Sequence, residues 1–238
     1  MNTANSKQQT ANPLRLCVPI VAANPARARS HYIRAARKGL WAEIRLDYLE
    51  KPDLRRLFRT FPGPVIATNR HPEEGGRWRG TEDDRCLLLE EARELGVPYL
   101  DLEFRSDPQW RETMWALKPS ATELILSWHD LTGTPDSFFL EDTLDIMLED
   151  RWSHIIKMVT YATKPDDNLR LLSLIPKARA AGKEIIAFCM GPLGKWSRVA
   201  TVFLGGFLTF TPFNPQQASA PGQITVAEFR RMWRILRK

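Results

Sequence analysis

The sequence predicts an α/β fold, a single-domain (β/α)8 TIM barrel over residues 14–238. Eight short runs of β-type composition alternate with amphipathic helical patterns, no long linker interrupts them, and the length of 238 residues suits one such barrel. An open doubly wound sheet would show the same alternation and remains the alternative. However, the first strand–helix connection, residues 21–26, lacks the GxGxxG turn of a dinucleotide site.

The predicted strands are bounded by turn residues and enriched in apolar side chains. They are Leu16–Ala22, Trp41–Tyr48, Pro64–Arg70, Pro98–Phe104, Glu123–His129, His154–Tyr161, Glu184–Met190 and Phe207–Phe213. The predicted helices carry apolar residues at helical spacing, with prolines near several starts and glycines near several ends. They are Ala26–Lys38, Asp53–Phe61, Thr81–Leu95, Asp107–Leu117, Pro135–Asp150, Pro165–Ala181, Pro192–Leu204 and Thr225–Lys238.

The composition favours a soluble enzyme over a nucleic-acid or membrane protein. The formal net charge of +6 permits a polyanionic partner, but the basic residues lie beside apolar residues at helical spacing, as on solvated helix faces. No apolar run reaches the length of a membrane span. Residues 1–13 are polar and lack the apolar core of a signal peptide, so they are predicted to be a disordered tail.

The cysteines and histidines predict neither disulfides nor a metal site. Cys17, Cys86 and Cys189 are odd in number and widely separated, which is typical of reduced thiols in a cytoplasmic protein. The histidines show no ligand spacing with one another or with the cysteines. We therefore expect no metal and no other cofactor.

Several predicted strands carry charges on the face that a barrel turns inward. In the second strand Glu43, Arg45 and Asp47 alternate with apolar residues that would pack against helices. The corresponding inward sets of the next strands are Ile66, Thr68 and Arg70; Tyr99, Asp101 and Glu103; and Ile125, Ser127 and His129. Charges are rarely enclosed unless they are paired or functional, so these sets predict a polar pocket at the barrel mouth.

Lys157 lies within an otherwise apolar strand, HIIKMVT. Burial disfavours the charged amine, and a neutral amine is a nucleophile that forms Schiff bases with carbonyl groups. A structural lysine paired with Asp101 or Glu103 is an equally good interpretation of this strand alone. His129 ends the preceding strand, and its position near Lys157 favours an acid/base role over a structural one.

Short motifs along nearly the whole chain resemble one known family. They are EIRLD at 43–47, Arg70 followed by EGG at 74–76, SWHD at 127–130, TP at 134–135, IIKM at 155–158, MGPLGKWSR at 190–198 and ASAPGQI at 218–224. In this order they resemble type I 3-dehydroquinate dehydratases, the Schiff-base enzymes of the shikimate pathway. Asn69, Trp128 and Leu131 depart from the commonest residues of the family without removing a reacting group.

The resemblance implies a lyase that converts 3-dehydroquinate to 3-dehydroshikimate, acting as a homodimer. Lys157 would form the imine with the ketone, and His129, oriented by Glu74, would transfer protons. The other implied site residues are Glu43, Arg45 and Arg70 for ring hydroxyls, Arg198 for the carboxylate, Ser219 and Gln223 in a closing loop, and Asp101 behind Lys157. A guanidinium suits a carboxylate because it donates two parallel hydrogen bonds.

The main alternative is another Schiff-base barrel, such as a class I aldolase acting on a sugar phosphate. The backbone amides of residues 191–194 would then bind the phosphate. The second alternative is non-enzymatic, a basic binding module or a catalytically inactive relative. It predicts the loss of Lys157 or His129, and both residues are present. The segment Asn214–Gln223 lacks large apolar side chains, so we expect a mobile lid whose Ser219 and Gln223 form hydrogen bonds only with a bound ligand.

Overall fold

The structure, a computed structural model, describes residues 14–116 and 121–237. The strands are β1 Leu16–Ile20, β2 Trp41–Arg45, β3 Val65–Thr68, β4 Tyr99–Glu103, β5 Glu123–His129, β6 Ser153–Tyr161, β7 Glu184–Met190 and β8 Thr209–Phe210. The helices are α1 Pro25–Arg37, α2 Leu54–Leu57, α3 Glu82–Glu94, α4 Pro108–Ala116, α5 Ser137–Leu148, α6 Asp167–Leu172, α7 Leu174–Ala180, α8 Ser197–Phe203 and α9 Val226–Leu236. The predicted disordered tail over residues 1–13 lies outside the described residues.

The eight strands are parallel and follow the order β8-β1-β2-β3-β4-β5-β6-β7. The gap between the two ends of this sheet is bridged just before β8, where the Phe207 amide donates to the Ile185 carbonyl at 2.6 Å. The sheet is therefore a nearly closed barrel with helices between its strands, and the predicted (β/α)8 class is confirmed. The open-sheet alternative is wrong.

Several predicted element boundaries are wrong. The predicted second strand runs to Tyr48, but β2 ends at Arg45 and the 3-10 helix Leu46–Tyr48 follows. The single helix predicted over 165–181 is divided into α6 and α7 at Ser173. Pro176 explains this break, since it has no N–H to donate and is tolerated only in the first turn of a new helix. The helix predicted from Pro192 begins at Ser197.

The barrel interior changes from apolar to polar along the strands. At the amino ends, Trp41 packs against Tyr99 with ring centroids 4.9 Å apart and against Phe207 at 5.4 Å. A layer of buried isoleucines lies above these rings, formed by Ile66, Ile125, Ile155 and Ile186. The next inward positions are polar on β2 to β6, so polar side chains gather at the carboxyl ends where barrel active sites lie.

The helices cover the barrel with two apolar clusters. The larger cluster joins α1, α3 and α9 to the outward faces of β1 to β4, and the second joins α5, α6 and α7 to β5, β6 and β7. Successive side chains of a strand point to opposite faces. Because the apolar side chains of these strands face the helices, the polar side chains that alternate with them face the barrel interior. In the described ranges, no helix is both long enough and apolar enough to cross a membrane.

Candidate active site

A cavity of about 310 Å³ opens at the carboxyl ends of the strands. Among the predicted site residues that line it are Glu43, Arg45, Arg70, Glu74, His129, Lys157, Arg198, Ser219 and Gln223. The remaining predicted site residue, Asp101, is 1% exposed and contacts Lys157. All the residues that the sequence placed in one pocket are thus brought together, although they come from segments spread over most of the chain.

Lys157 of β6 is paired with carboxylates in the described structure. Its Nζ lies 2.7 Å from Asp101 Oδ2 and 3.7 Å from Glu43 Oε1, and 4.7 Å from the centre of the Phe210 ring. Burial opposes ionisation of Asp101, but Arg70 and Lys157 together hold its pKa well below the usual range. The pairing that the sequence left open is therefore present, and it keeps the amine in a fixed position at the cavity floor.

Arg70 follows β3 and connects the carboxylates on neighbouring strands. Its Nη2 lies 2.6 Å from Asp101 Oδ1, and its Nη1 lies 2.8 Å from Glu103 Oε1 and 2.7 Å from Ser127 Oγ. Glu74 Oε2 is 3.8 Å from the same Nη1. These contacts hold the guanidinium rigidly at the cavity wall, with carboxylates on either side of it.

His129, at the end of β5, is hydrogen-bonded to Glu74. Its Nδ1 lies 2.7 Å from Glu74 Oε2, which leaves Nε2 free for a ligand in the cavity. Burial, together with Arg70 and Lys157, lowers the pKa of His129 well below its usual value. Burial raises the pKa of Glu74 to about 8. The Arg70 charge opposes this increase, and the negative charges of Glu103 and Asp101 add to it. The pair thus favours an uncharged imidazole.

The EGG motif places Glu74 by a tight turn. The 3-10 helix Pro72–Glu74 ends at Gly75, whose φ of 82° is in the left-handed region that favours glycine. The Gly76 amide donates to the His71 carbonyl at 3.0 Å, and a Cβ on Gly76 would lie 1.8 Å from the Arg70 carbonyl oxygen. No other residue fits there, so the two glycines fold the chain back from Arg70 and bring Glu74 to His129.

Arg198 is a buried cation without an acidic partner. It belongs to α8, is 1% exposed, and stacks on Phe188 with its guanidinium carbon 4.4 Å from the ring centre. Its Nη2 donates to the Pro221 carbonyl at 3.1 Å and its Nε has no partner. Within residues 14–116 and 121–237 no carboxylate comes within 4.0 Å of it, and burial lowers its pKa to about 10. Such a cation is a ready site for an anionic group.

Glu43 and Arg45 project from β2 on the opposite wall. Arg45 forms a bidentate pair with Asp47, with Nε–Oδ1 and Nη2–Oδ2 distances of 2.8 and 2.7 Å. Glu43 Oε1 accepts from the Thr68 hydroxyl at 3.1 Å. Both side chains are more than nine-tenths buried and are held by the protein, so they present fixed polar groups to the cavity.

The loop at 214–223 covers one side of the cavity. The Ser219 amide donates to Gln223 Oε1 at 3.0 Å, and Gln223 Nε2 donates to Ser219 Oγ at 3.2 Å. The expectation that a ligand alone completes their hydrogen bonds is therefore wrong. The Pro221 carbonyl accepts from Arg198 and from the Gly191 amide, and none of the loop residues is fully buried. The loop therefore rests against the site through a few polar contacts, without a fully buried side chain to anchor it.

Sequence reasoning missed the apolar wall of the cavity. This wall comprises Leu131, Val159, Tyr161, Phe188, Met190 and Phe210. Alternation along β6 and β7 would have found four of these residues, since Val159 and Tyr161 continue the face of Lys157 and Phe188 and Met190 are the matching positions of the next strand. A wall of this kind excludes water from one side of a bound ring.

Comparison with known proteins gives the family of the chain. Residues 16–238 match the family model for type I 3-dehydroquinase. The chain is 41% identical over 180 residues to a 3-dehydroquinate dehydratase of Syntrophobacter fumaroxidans, covering 74% of this chain and 75% of the relative. It is 38% identical over 189 residues to the enzyme of that name from Desulfotalea psychrophila, covering 79% and 83%.

A solved structure gives the same result. The crystal structure of 3-dehydroquinate dehydratase from Geobacillus kaustophilus superposes with a TM-score of 0.82 at 26% identity, covering 94% of this chain and 91% of that one. The fold, the site and the relatives point in one direction. The chain belongs to the type I 3-dehydroquinase family, a family of lyases.

Proposed function

We propose that the protein dehydrates 3-dehydroquinate to 3-dehydroshikimate through an imine on Lys157. The observation that carries the proposal is the grouping, in one cavity, of a carboxylate-held lysine, the His129–Glu74 pair and the unpaired Arg198. These groups supply a nucleophile, a proton carrier and an anion site. Membership of the family makes 3-dehydroquinate the expected substrate.

In the first step Lys157 Nζ, after losing a proton, attacks the ketone carbon, and loss of one water gives a protonated imine. Asp101, 2.7 Å away, stays ionised because its pKa lies well below the usual range, so Glu43 Oε1, 3.7 Å away, is the better acceptor for that proton. The same carboxylates then face the positive nitrogen of the imine and stabilise it. Lys157 therefore serves both as the nucleophile and as a fixed electron sink.

His129 carries the proton in the second step. The protonated imine acidifies the adjacent carbon, and His129 Nε2 removes a proton from it to give an enamine. The active form is the one in which Glu74, whose pKa is about 8, is ionised: its carboxylate accepts the hydrogen bond from Nδ1–H at 2.7 Å, which leaves Nε2 as the base and then stabilises the imidazolium. The imidazolium next donates its proton to the departing hydroxyl, so that water leaves as the conjugated double bond forms. Hydrolysis of the imine consumes one water, returns the ketone and frees Lys157.

Binding and orientation come from the remaining polar groups. Arg198 would form a bidentate pair with the substrate carboxylate, which would neutralise a cation that is 1% exposed. Glu43, Arg45 and Arg70 would bind ring hydroxyls from the opposite wall, and the loop with Ser219 and Gln223 would exclude water from the imine.

The sugar-phosphate aldolase alternative has less support. Two of the amides it requires are already bonded within the chain, because Gly191 N donates to the Pro221 carbonyl at 3.3 Å and Gly194 N to the Gly191 carbonyl at 3.2 Å. A Cβ at Gly222 would lie 2.3 Å from the Gly191 oxygen, so the loop closely covers this turn. A phosphate would have to displace that loop to reach the turn.

The ultraviolet absorbance of the conjugated product provides the test of activity. The purified protein should convert 3-dehydroquinate with rising absorbance, and borohydride added with substrate should inactivate it. Peptide mass spectrometry should then find the reduced adduct on Lys157. An adduct on Lys164, Lys177 or Lys195 would contradict the assignment of the nucleophile, and Lys157→Met should lose activity by about 10⁴-fold or more.

We also propose a cytoplasmic homodimer. Its support is an outward groove between α8 and α9 whose apolar residues Trp196, Phe203, Leu204 and Leu236 are each 43–60% exposed, since a monomer rarely leaves such a group uncovered. The three cysteines are buried and free, as in reducing compartments. Light scattering at micromolar concentration should give twice the chain mass, and Phe203→Glu should give the mass of one chain.

A further inference from the structure

A continuous line of alternating charges runs from Arg85 on α3 to the cavity floor. Arg85 Nη1 lies 2.6 Å from Glu103 Oε2, Glu103 Oε1 lies 2.8 Å from Arg70, and Arg70 lies 2.6 Å from Asp101. Asp101 in turn lies 2.7 Å from Lys157. Arg85 is fully buried and does not line the cavity, so the proposed chemistry leaves it without a role.

Arg85 is held unusually firmly for a residue outside the site. It donates five hydrogen bonds, two of them to the carboxylate of Glu82 and one to Glu103. The other two reach the Asn69 carbonyl at 2.8 Å and the Ser106 hydroxyl at 2.9 Å. Asn69 precedes Arg70, and its own side chain donates to the Arg85 carbonyl at 3.3 Å. Arg85 therefore fixes both the partner of Arg70 and the backbone that carries Arg70.

We propose that Arg85 is a positioning residue that, through Glu103 and Asn69, holds Arg70 between Asp101 and Glu74. With Arg85 in place, Glu103 is shared between two guanidinium groups and Arg70 remains available to Asp101. Without it, the Glu103 charge would be balanced by Arg70 alone, and Arg70 would move towards Glu103 and away from the other two carboxylates. This inference rests on the proposed function for its consequences on activity.

The charges around His129 give the expected direction of the effect. The groups facing it are Arg45 from β2, Arg70 after β3, Asp101 from β4 and Lys157 from β6, with Glu74 bonded to its ring. Around Glu74 they are Arg70, Glu103, Asp101 and Arg105. Loss of Arg85 makes the surroundings more negative and withdraws Arg70, so both changes strengthen proton binding by the His129–Glu74 pair.

The first test compares Arg85→Met with Arg93→Met. Arg93 is a matched control because it lies about two turns further along the same helix, is 3% exposed, and packs on Trp115 at 5.4 Å. Arg85→Met should lower kcat by about ten- to hundred-fold and move the acid limb of kcat/KM upward by about one pH unit. Arg93→Met should keep the wild-type pH profile. The same pH profile in both variants would overturn the proposal.

The second test does not depend on activity. NMR titration of the histidine rings in the ligand-free protein should show a higher pKa for His129 in Arg85→Met than in the wild type or in Arg93→Met. Unchanged titration of His129 would contradict the inference, whereas a shift in a protein with no dehydratase activity would contradict only the proposed function.

If Arg85→Met does not fold, Arg85→Lys serves instead, since it keeps the charge with fewer donors. It should leave the His129 titration near the wild type and still lower kcat/KM about ten-fold; wild-type kcat/KM would overturn the positioning role.

Discussion

The two sides of the cavity treat a buried arginine in opposite ways. On the side formed by β2 to β5, Arg70 contacts three carboxylates and a serine hydroxyl. On the side formed by β7 and β8, Arg198 contacts one carbonyl and one aromatic ring among the described residues, and none of them pairs with its Nε. Both residues are at most 3% exposed.

The difference teaches which groups a ligand must supply. The charges on the Arg70 side neutralise one another within the protein, so that side is preorganised without substrate. The Arg198 side holds a cation whose pKa burial lowers to about 10, and only an incoming anion can neutralise it. The Arg198 side would thus gain binding energy from the carboxylate of a ligand, whereas the Arg70 side holds the groups for proton transfer in place.

Among the tests of this comparison, the largest expected effect is on the proton-transfer side. His129→Ala should lower kcat by about 10²- to 10⁴-fold, because the base and the acid of the elimination are then both lost. Lys157 remains paired with Asp101 in this variant, so borohydride should still trap an adduct on Lys157. Turnover close to that of the wild type would show that the paired side does not carry the protons.

Matched substitution of the two arginines tests the comparison itself. Arg198→Met should raise KM about ten- to hundred-fold, since it removes charged hydrogen bonds to the carboxylate. It should also stabilise the ligand-free protein by about 1 kcal/mol, because an unpaired buried charge is replaced by an apolar chain. Arg70→Met should instead destabilise it by about 3–5 kcal/mol, since buried carboxylates lose their partner.

Chemical denaturation of the wild type and both variants measures these changes, and substrate titration gives KM. Destabilisation of the same size in both variants would remove the distinction between the two sides.

The pH dependence of stability offers a smaller effect. The pKa of Glu74 is raised from 4.5 to about 8, so the folded protein keeps a proton that the unfolded chain releases, and this contribution to stability is lost as pH rises towards 8. The lowered pKa of His129 has the opposite effect: below its ordinary value of 6.5, it makes the free energy of unfolding rise with pH. Between about pH 6.5 and 8, Glu74→Gln should therefore flatten the fall in unfolding free energy, by at most about 1.4 kcal/mol per pH unit. An equal slope in both proteins would contradict a protonated Glu74.

The smallest expected effect is on the loop. Ser219→Ala with Gln223→Ala removes the hydrogen bonds that the two residues make to each other, so it should raise KM a few-fold and leave stability within about 0.5 kcal/mol. Limited proteolysis should cut 214–223 in the free enzyme and spare it once the imine is reduced. Cleavage at one rate in both states, with unchanged kinetics, would mean that the loop is only a connector.

The sequence predicted the barrel and its polar mouth because both depend on alternation within single strands. Glu43, Asp101 and Lys157 each interrupt an apolar pattern, and the pattern alone assigns them to the interior. The partner of each charge could not be predicted, since it depends on which strands are neighbours and on their register. Hence the sequence left open whether Lys157 is paired with Asp101 or with Glu103, whereas the structure places Asp101 2.7 Å from its Nζ.

Arg85 shows most clearly which contacts the sequence alone could not predict. Its position in the first turn of α3, beside three acidic residues, is typical of an exposed helix start, yet its side chain is buried and reaches Glu103. The break between α6 and α7 at Ser173 could have been predicted from the sequence, because Pro176 is a local signal for the start of a new helix. Local signals of backbone geometry can be found in a sequence, whereas contacts between distant segments need the fold.

The aromatic layer of Trp41, Tyr99 and Phe207 at the barrel floor has a kinetic consequence. With the floor filled, substrate, product and the released water share the route through the mouth beside the 214–223 loop. The product cannot leave by one end of the barrel while substrate enters by the other, so the product must dissociate through the mouth before the next substrate binds. 3-Dehydroshikimate should therefore inhibit the forward reaction competitively, and the product's residence time sets an upper limit on the turnover rate.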